Sequence, residues 1–215
     1  MNKYLVIDCE TLPRPIPPGI YKDKMEKLKD RFTTPSVIEK NAKEWAEESA
    51  FFQPGLSQVI AIGACDPDSG NVEVFCDENE QKVLNLFATY YIDFVRRNAN
   101  VFSNVSLVGF NIKGFDLPQM MVNLGSLKPE YKLNRRRIID LMDEPFGRST
   151  NKYSLNYYLE IFGLPLKEGS GKDVLKNWEL DKADKGTRVA DYCRSDTYKT
   201  AALFNRYREF WNFDV

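Results

Sequence analysis

What most constrains the fold of this chain is the order of its apolar runs, because that order limits how a sheet can be assembled. Strand-like runs at residues 4–7, 58–64 and 71–76 come first. The last two flank the turn Asp66-Pro67-Asp68-Ser69-Gly70 and read as a hairpin. Strand and helix then alternate. Residues 81–98 carry Val83, Leu84, Phe87, Tyr91, Phe94 and Val95 at helical spacing, which predicts one apolar face laid on the sheet. Residues 106–110 read as a strand, and 115–124 as a helix with Leu117, Met120, Met121 and Leu124 inward and Gly125 at its end. A further strand is predicted over 137–141, a helix capped by Ser154 runs to Gly163, and a long helix covers 187–211. The order βββαβαβα, with extra helices, predicts an α/β domain built on a mixed five-stranded sheet with helices on its faces.

A chain of 215 residues with 43% hydrophobic content suits one large domain, residues 1–215, better than two small ones. Residues 12–55 interrupt the sheet pattern with a proline-rich start and charged helical stretches at 22–31 and 36–50. They read as an insertion in that domain, a lid or a substrate wall. No apolar run is long enough to span a bilayer, and Met1-Asn2-Lys3 leads straight into a strand, unlike a signal peptide. Cys9, Cys65, Cys76 and Cys193 lack Cys-x-x-Cys spacing and read as buried reduced thiols, so the expected location is cytoplasmic. Histidine is absent, which excludes Ser-His-Asp and Cys-His catalysis and leaves carboxylates, Tyr, Lys or metal-bound water for acid–base work. With a net charge of −1, binding to nucleic acid would need a local basic patch.

In Asp8-Cys9-Glu10, strand alternation puts both acids on one face and Cys9 into the core. Alone, such a pair is more often a solvated turn. Two further segments change the balance: Asn111-Ile112-Lys113-Gly114-Phe115-Asp116 after another strand, and Tyr192-Cys193-Arg194-Ser195-Asp196 within the last helix. Tyr192 and Asp196, four residues apart, share a helix face. Clustered carboxylates are costly to hold together unless divalent cations neutralise them, and oxygen-only ligands favour Mg²⁺ or Mn²⁺. Two such ions can activate a water and stabilise the attacking and leaving oxygens of a phosphodiester displacement. A tyrosine with a free pKa of about 10 is a poor base, so Tyr192 is assigned to orienting that water.

These three segments resemble the motifs of the DEDD exonuclease superfamily, tyrosine branch, and most closely the proofreading exonuclease domain of family B DNA polymerases and its stand-alone relatives. The likeness covers most of the chain: Asp-x-Glu at Asp8 and Glu10, Asn-x-x-x-Phe-Asp at Asn111, Phe115 and Asp116, and Tyr-x-x-x-Asp at Tyr192 and Asp196. The resemblance implies a ribonuclease-H-like fold, which the strand order also fits. It further implies two ions, Mg²⁺ or Mn²⁺, held by Asp8, Glu10, Asp116 and Asp196 with Tyr192 beside them, and 3′–5′ removal of nucleoside 5′-monophosphates from single-stranded DNA ends. Thr11, Leu12, Asn111, Lys113 and Phe115 are the implied substrate contacts. The departures are the long insertion and the lack of a polymerase domain in these 215 residues.

Other features read more blandly. Asp191 lies about 100° around its helix from Tyr192 and is expected in solvent. Asp140 and Asp143 are equally turn acids or supports for the site. Arg135-Arg136-Arg137 is as much a solvated face as a phosphate grip, and Gly169-Ser170-Gly171-Lys172-Asp173 lacks the pattern of a Walker A loop. Phe110, Phe115, Tyr153, Tyr157 and Tyr158 could stack on bases, though most are expected in the core. The competing functions are an RNA-trimming exonuclease, a catalytically silent nucleic-acid-binding module, and a small-molecule phosphatase or diesterase.

Overall fold

The computed structural model describes residues 3–98, 105–124, 137–143, 153–211 and 213. Strand β1 (Lys3–Pro13) is the centre of a five-stranded sheet of order β3-β2-β1-β4-β5, with β2 at Ser57–Cys65, β3 at Val72–Cys76, β4 at Val105–Gly109 and β5 at Ile138–Asp140. β1, β2 and β3 pair antiparallel, while β4 and β5 run parallel to β1. The architecture is α/β, a mixed five-stranded sheet compatible with the ribonuclease-H-like fold.

Alternation along β1 sends Leu5, Ile7 and Cys9 to one face, against Val83, Leu84 and Phe87 of α3 (Glu80–Arg97). Tyr4 and Val6 go to the other face, against Phe204 and Tyr207 of α7 (Arg188–Arg208). The start of α3 is fixed by Asn79, whose side chain accepts from the Lys82 N–H at 3.2 Å. The helical stripe read from the sequence therefore packs on the sheet as expected, with Tyr91 only partly buried.

Between β1 and β2 the chain forms α1 (Pro18–Lys29), which has proline in its first turn, and α2 (Pro35–Phe52). The pair closes on a small core of Leu28, Ile38 and Ala42, with Tyr21, Met25 and Phe32 around it. Its neck is a ladder: Leu12 and Pro13 still pair with Gln58 and Ser57, and the Arg14 N–H donates to the Leu56 carbonyl at 2.9 Å. The helix pair thus leaves the sheet after Pro13 rather than at residue 12.

Helix α4 (Asp116–Leu124) corrects one inward assignment: Met121 is 47% exposed. At 100° per residue, the buried arc is set by Asp116, Leu117, Gln119 and Met120, and Met121 falls just past its edge. Apolar periodicity misjudged this face because two of its buried residues are polar. Gly125 lies outside the described residues. Helix α5 (Leu155–Ile161) starts at Ser154, whose Oγ accepts from the Tyr157 N–H at 3.3 Å. A short 3-10 turn (Gly171–Asp173) and α6 (Val174–Asp184) follow, neither of them marked by the sequence pattern.

Candidate active site

Past Val6 and Val108 the parallel strands β1 and β4 part, so the chain beyond each reaches one end of the sheet together. β1 carries Asp8 and Glu10 on the α7 side. Beyond β4, Asn111 adopts a left-handed backbone (φ 60°), which Asn tolerates better than most residues. This turn is held by Asp140 at the end of β5: its Oδ1 accepts from the Asn111 N–H at 2.9 Å and its Oδ2 from the Lys113 N–H at 3.0 Å. Asp116, the first residue of α4, then meets β1, its Oδ1 accepting from the Cys9 N–H at 2.9 Å. Asp140 is 2% exposed and thus supports the site, although the sequence offered it only as an ambiguous strand-end acid.

The third motif arrives on α7 because Gly63, paired with Asp8 in the ladder, lets the helix touch the sheet. A Cβ at Gly63 would lie 1.9 Å from Thr197 Oγ1, which donates to the Cys193 carbonyl at 2.7 Å. Immediately past Glu10 the ladder slips, pairing Glu10 with Ala61 but Thr11 with Val59. The Val59 N–H donates instead to Glu80 Oε1 at 2.7 Å, and Glu80 also pairs with Arg14. The extra residue, Ile60, makes a bulge on β2 beside the acids.

Asp8, Glu10, Asp116, Tyr192 and Asp196 line one cleft of about 850 Å³. Thr11, Asn111 and Phe115 line it too; Leu12 packs instead against the buried cluster of Ile60, Ala61, Val174, Val189 and Cys193, and Lys113 is not in the lining. Glu10, Asp116 and Asp196 are buried, and Asp8 is half-buried with its Oδ2 fully enclosed. Burial first, and the neighbouring carboxylates second, hold the Asp8 carboxyl well above the ordinary carboxylate range. Burial and the charge of Asp196 push Glu10 up to about 8, and burial raises Asp116 to about 6. Among the described residues, Asp8 Oδ2 and Asp196 Oδ1 are buried without a hydrogen-bond partner. A crowded, under-satisfied acid set of this kind fits a divalent cation. Asp8, Glu10 and Cys193 offer ligand atoms all within 4.8 Å of one another.

The residue that sequence reasoning missed is Lys167, in the loop after α5. Its Nζ stands 2.5 Å from Asp196 Oδ2 and 5.3 Å from the centre of the Tyr192 ring. Burial disfavours its charge, but the Asp196 carboxylate outweighs this and raises its pKa. Burial also raises the Tyr192 phenol further above its ordinary range. No motif marks Lys167; the only hint was chemical, that so many acids want a nearby cation.

Elsewhere, Asp191 is exposed and accepts from Thr187 Oγ1 at 2.7 Å, as expected of a solvated acid. Ser170 and Asp173 form a capping box at the 3-10 turn, with Lys172 at the rim of the cleft. Tyr158 is core, but Tyr153 and Tyr157 are each 41% exposed and stack on one another at 4.2 Å, contrary to the expectation that most of these rings are interior. Arg135 and Arg136 lie outside the described residues. All four cysteines are free, three of them buried.

No protein-family model matches the chain, and no curated protein does. Its fold is similar to part of a family B DNA polymerase, that of the hyperthermophilic archaeon Pyrobaculum calidifontis. The TM-score is 0.55 at 18% identity, over 98% of this chain and 25% of that one, so the chain spans about a quarter of the polymerase's length. At that identity the likeness establishes the fold alone. Among the described residues no helix is long and apolar enough to cross a membrane.

Proposed function

We propose that the chain is a divalent-cation-dependent 3′–5′ exonuclease that releases nucleoside 5′-monophosphates from single-stranded DNA ends. In this reading residues 1–215 form one domain, and the helix pair between β1 and β2 is a wall of its cleft. The observation that carries the reading is the enclosed quartet Asp8, Glu10, Asp116 and Asp196 on one open cleft, each acid crowded by the others. These four carboxylates would hold two ions, and their oxygen-only character favours Mg²⁺ or Mn²⁺. Bound there, the ions would neutralise phosphodiester charge and ease ionisation of the attacking water.

The remaining work falls to the chain's own side chains. Tyr192, protonated at neutral pH as a phenol is and raised further by burial, donates a hydrogen bond that orients the water or a phosphate oxygen. Lys167 offsets part of the quartet's charge beside Asp196, and Lys172 at the rim can meet a second phosphate. Phe110, Phe115 and Leu155 give the cleft an apolar lining on which bases can rest. The fold likeness to a DNA polymerase supports a nucleic-acid substrate, and the three sequence motifs support exonuclease chemistry over silent binding. The test is chromatography of products from single-stranded DNA and RNA oligonucleotides incubated with Mg²⁺ or Mn²⁺. Nucleoside 5′-monophosphates should accumulate from DNA, and should vanish with EDTA or in Asp8→Asn. Faster release from RNA would transfer the activity to RNA trimming, and binding without release would mark a silent module.

A further inference from the structure

The loop that carries Lys167 has little of its own to hold it in place. It leaves α5 at Gly163, left-handed with φ 65°, and reaches a second left-handed residue at Gly169, φ 82°. Near its start Leu164 is pinned, its N–H donating to the Leu159 carbonyl at 2.8 Å and its side chain packing on the core beside α7. Beyond it Pro165, Leu166, Glu168, Gly169 and Ser170 are all exposed, and Lys167 alone is half-buried. Apolar burial therefore does not fix the backbone at Lys167. Among the described residues, one hydrogen bond does. Asn156, in the first turn of α5, accepts from the Lys167 N–H through its Oδ1 at 2.8 Å. Both side chains line the cleft.

We propose that Asn156 is the positioning residue for Lys167, its amide oxygen fixing the loop so that the ammonium stands against Asp196. The consequence for rate rests on the exonuclease reading above. A lysine stem is long and flexible, so its Nζ is delivered to one spot only if the backbone at its root is fixed as well. Asparagine suits that task because it is short and ends in an acceptor. Its bond is to the backbone of Lys167, which leaves the side chain free to place Nζ 2.5 Å from Asp196 Oδ2 and 5.3 Å from the centre of the Tyr192 ring. The far end of the loop lies on the same ring, since a Cβ added at Gly169 would stand 3.6 Å from Tyr192 Cε2. Without the Asn156 pin, Lys167 spends less time at Asp196, and the quartet turns more of its negative charge toward an incoming phosphate.

The test compares wild type, Asn156→Leu, which removes the acceptor at similar size, and Asn156→Asp, which keeps an acceptor oxygen in place. In the first readout each protein is briefly acetylated in EDTA and the modification of every lysine is read by mass spectrometry, with the exposed Lys40 as internal reference. Asn156→Leu should acetylate Lys167 about fivefold faster relative to Lys40, the scale of one lost hydrogen bond, and Asn156→Asp should stay close to wild type. In the second, kcat and KM are measured with Mn²⁺ on single-stranded DNA, in the native and the Lys167→Met backgrounds. Asn156→Leu should lower kcat about tenfold, with KM within about twofold, in the native background alone. Asn156→Asp should recover most of that loss. Unchanged acetylation of Lys167, a rise shared by all lysines, or an equal loss of kcat in both backgrounds would overturn the proposal. If wild type cuts nothing, the exonuclease reading fails separately, and the acetylation still decides whether Asn156 holds Lys167.

Discussion

At Asp8 the demands of chemistry and of folding pull in opposite directions. Its carboxyl is raised first by burial and then by Glu10, Asp116 and Asp196, so its ionised form costs stability when no cation is present. Asp8→Asn is therefore expected to melt higher than wild type in EDTA at pH 8, by a few degrees, since 1 kcal/mol corresponds to about 2–4 °C at this size. The same variant should release mononucleotides at least about 100-fold more slowly. Lys167 gives the converse case. Lys167→Met leaves Asp196 Oδ2 without its ammonium, at a cost of about 3 kcal/mol in EDTA by denaturant melts, and of less once Mg²⁺ is added. The meeting of the acids and Tyr192 on one cleft was legible because each sits in a spaced pattern tied to a strand end or a helix face. Lys167 was not, because its loop has no periodicity and its partner lies 29 residues further along the chain. Asp140 was half-legible: its position was seen, but its role depends on the left-handed turn at Asn111 that it pins.

Among the elements, α7 depends most on a single small residue. Gly63→Ala sets a methyl against Thr197 Oγ1 and must lift the helix that carries Tyr192 and Asp196 away from Asp8. A loss of about 1–3 kcal/mol is expected, with a further fall in kcat. Removing the hydroxyl in the double variant Gly63→Ala, Thr197→Ala should recover part of both losses, as a double-mutant cycle of melts and rates would show. The sheet and its helices were mostly legible, because β1, β2 and β4 are nearly continuous apolar runs and α3 has a clear stripe. Helix α6 was hidden because Val174 is its only fully buried residue, which leaves no apolar period to find. It also ends at Lys185 with φ 55°, where a glycine would have marked the stop.

For the molecule as a whole, the acid cluster couples stability to both pH and cation. Glu10 moves from 4.5 to about 8 and Asp116 from 3.8 to about 6 on folding, so between those limits the folded chain holds more protons than the unfolded one. Stability therefore falls as pH rises: the cost is absent below about pH 4, grows through the window and is complete above about pH 8. In the proposed reading cations bind the ionised carboxylates, so stabilisation by Mn²⁺ should grow over the same window. Melting curves at pH 5 and pH 8.5, in EDTA and in excess Mn²⁺, check this. A metal-induced rise in Tm that is larger at pH 8.5 is the expected outcome.

The central claim, that four carboxylates on this cleft cut nucleic acid from its 3′ end, is tested most directly by a labelled ladder. Single-stranded DNA carrying a 5′ label is incubated with Mg²⁺ or Mn²⁺ and wild-type protein, beside an Asp8→Ala, Glu10→Ala variant and an EDTA control. The account predicts a ladder that shortens one nucleotide at a time with the label retained, absent from both controls. Label released at once as a mononucleotide, or a ladder that persists in the double variant, would contradict it.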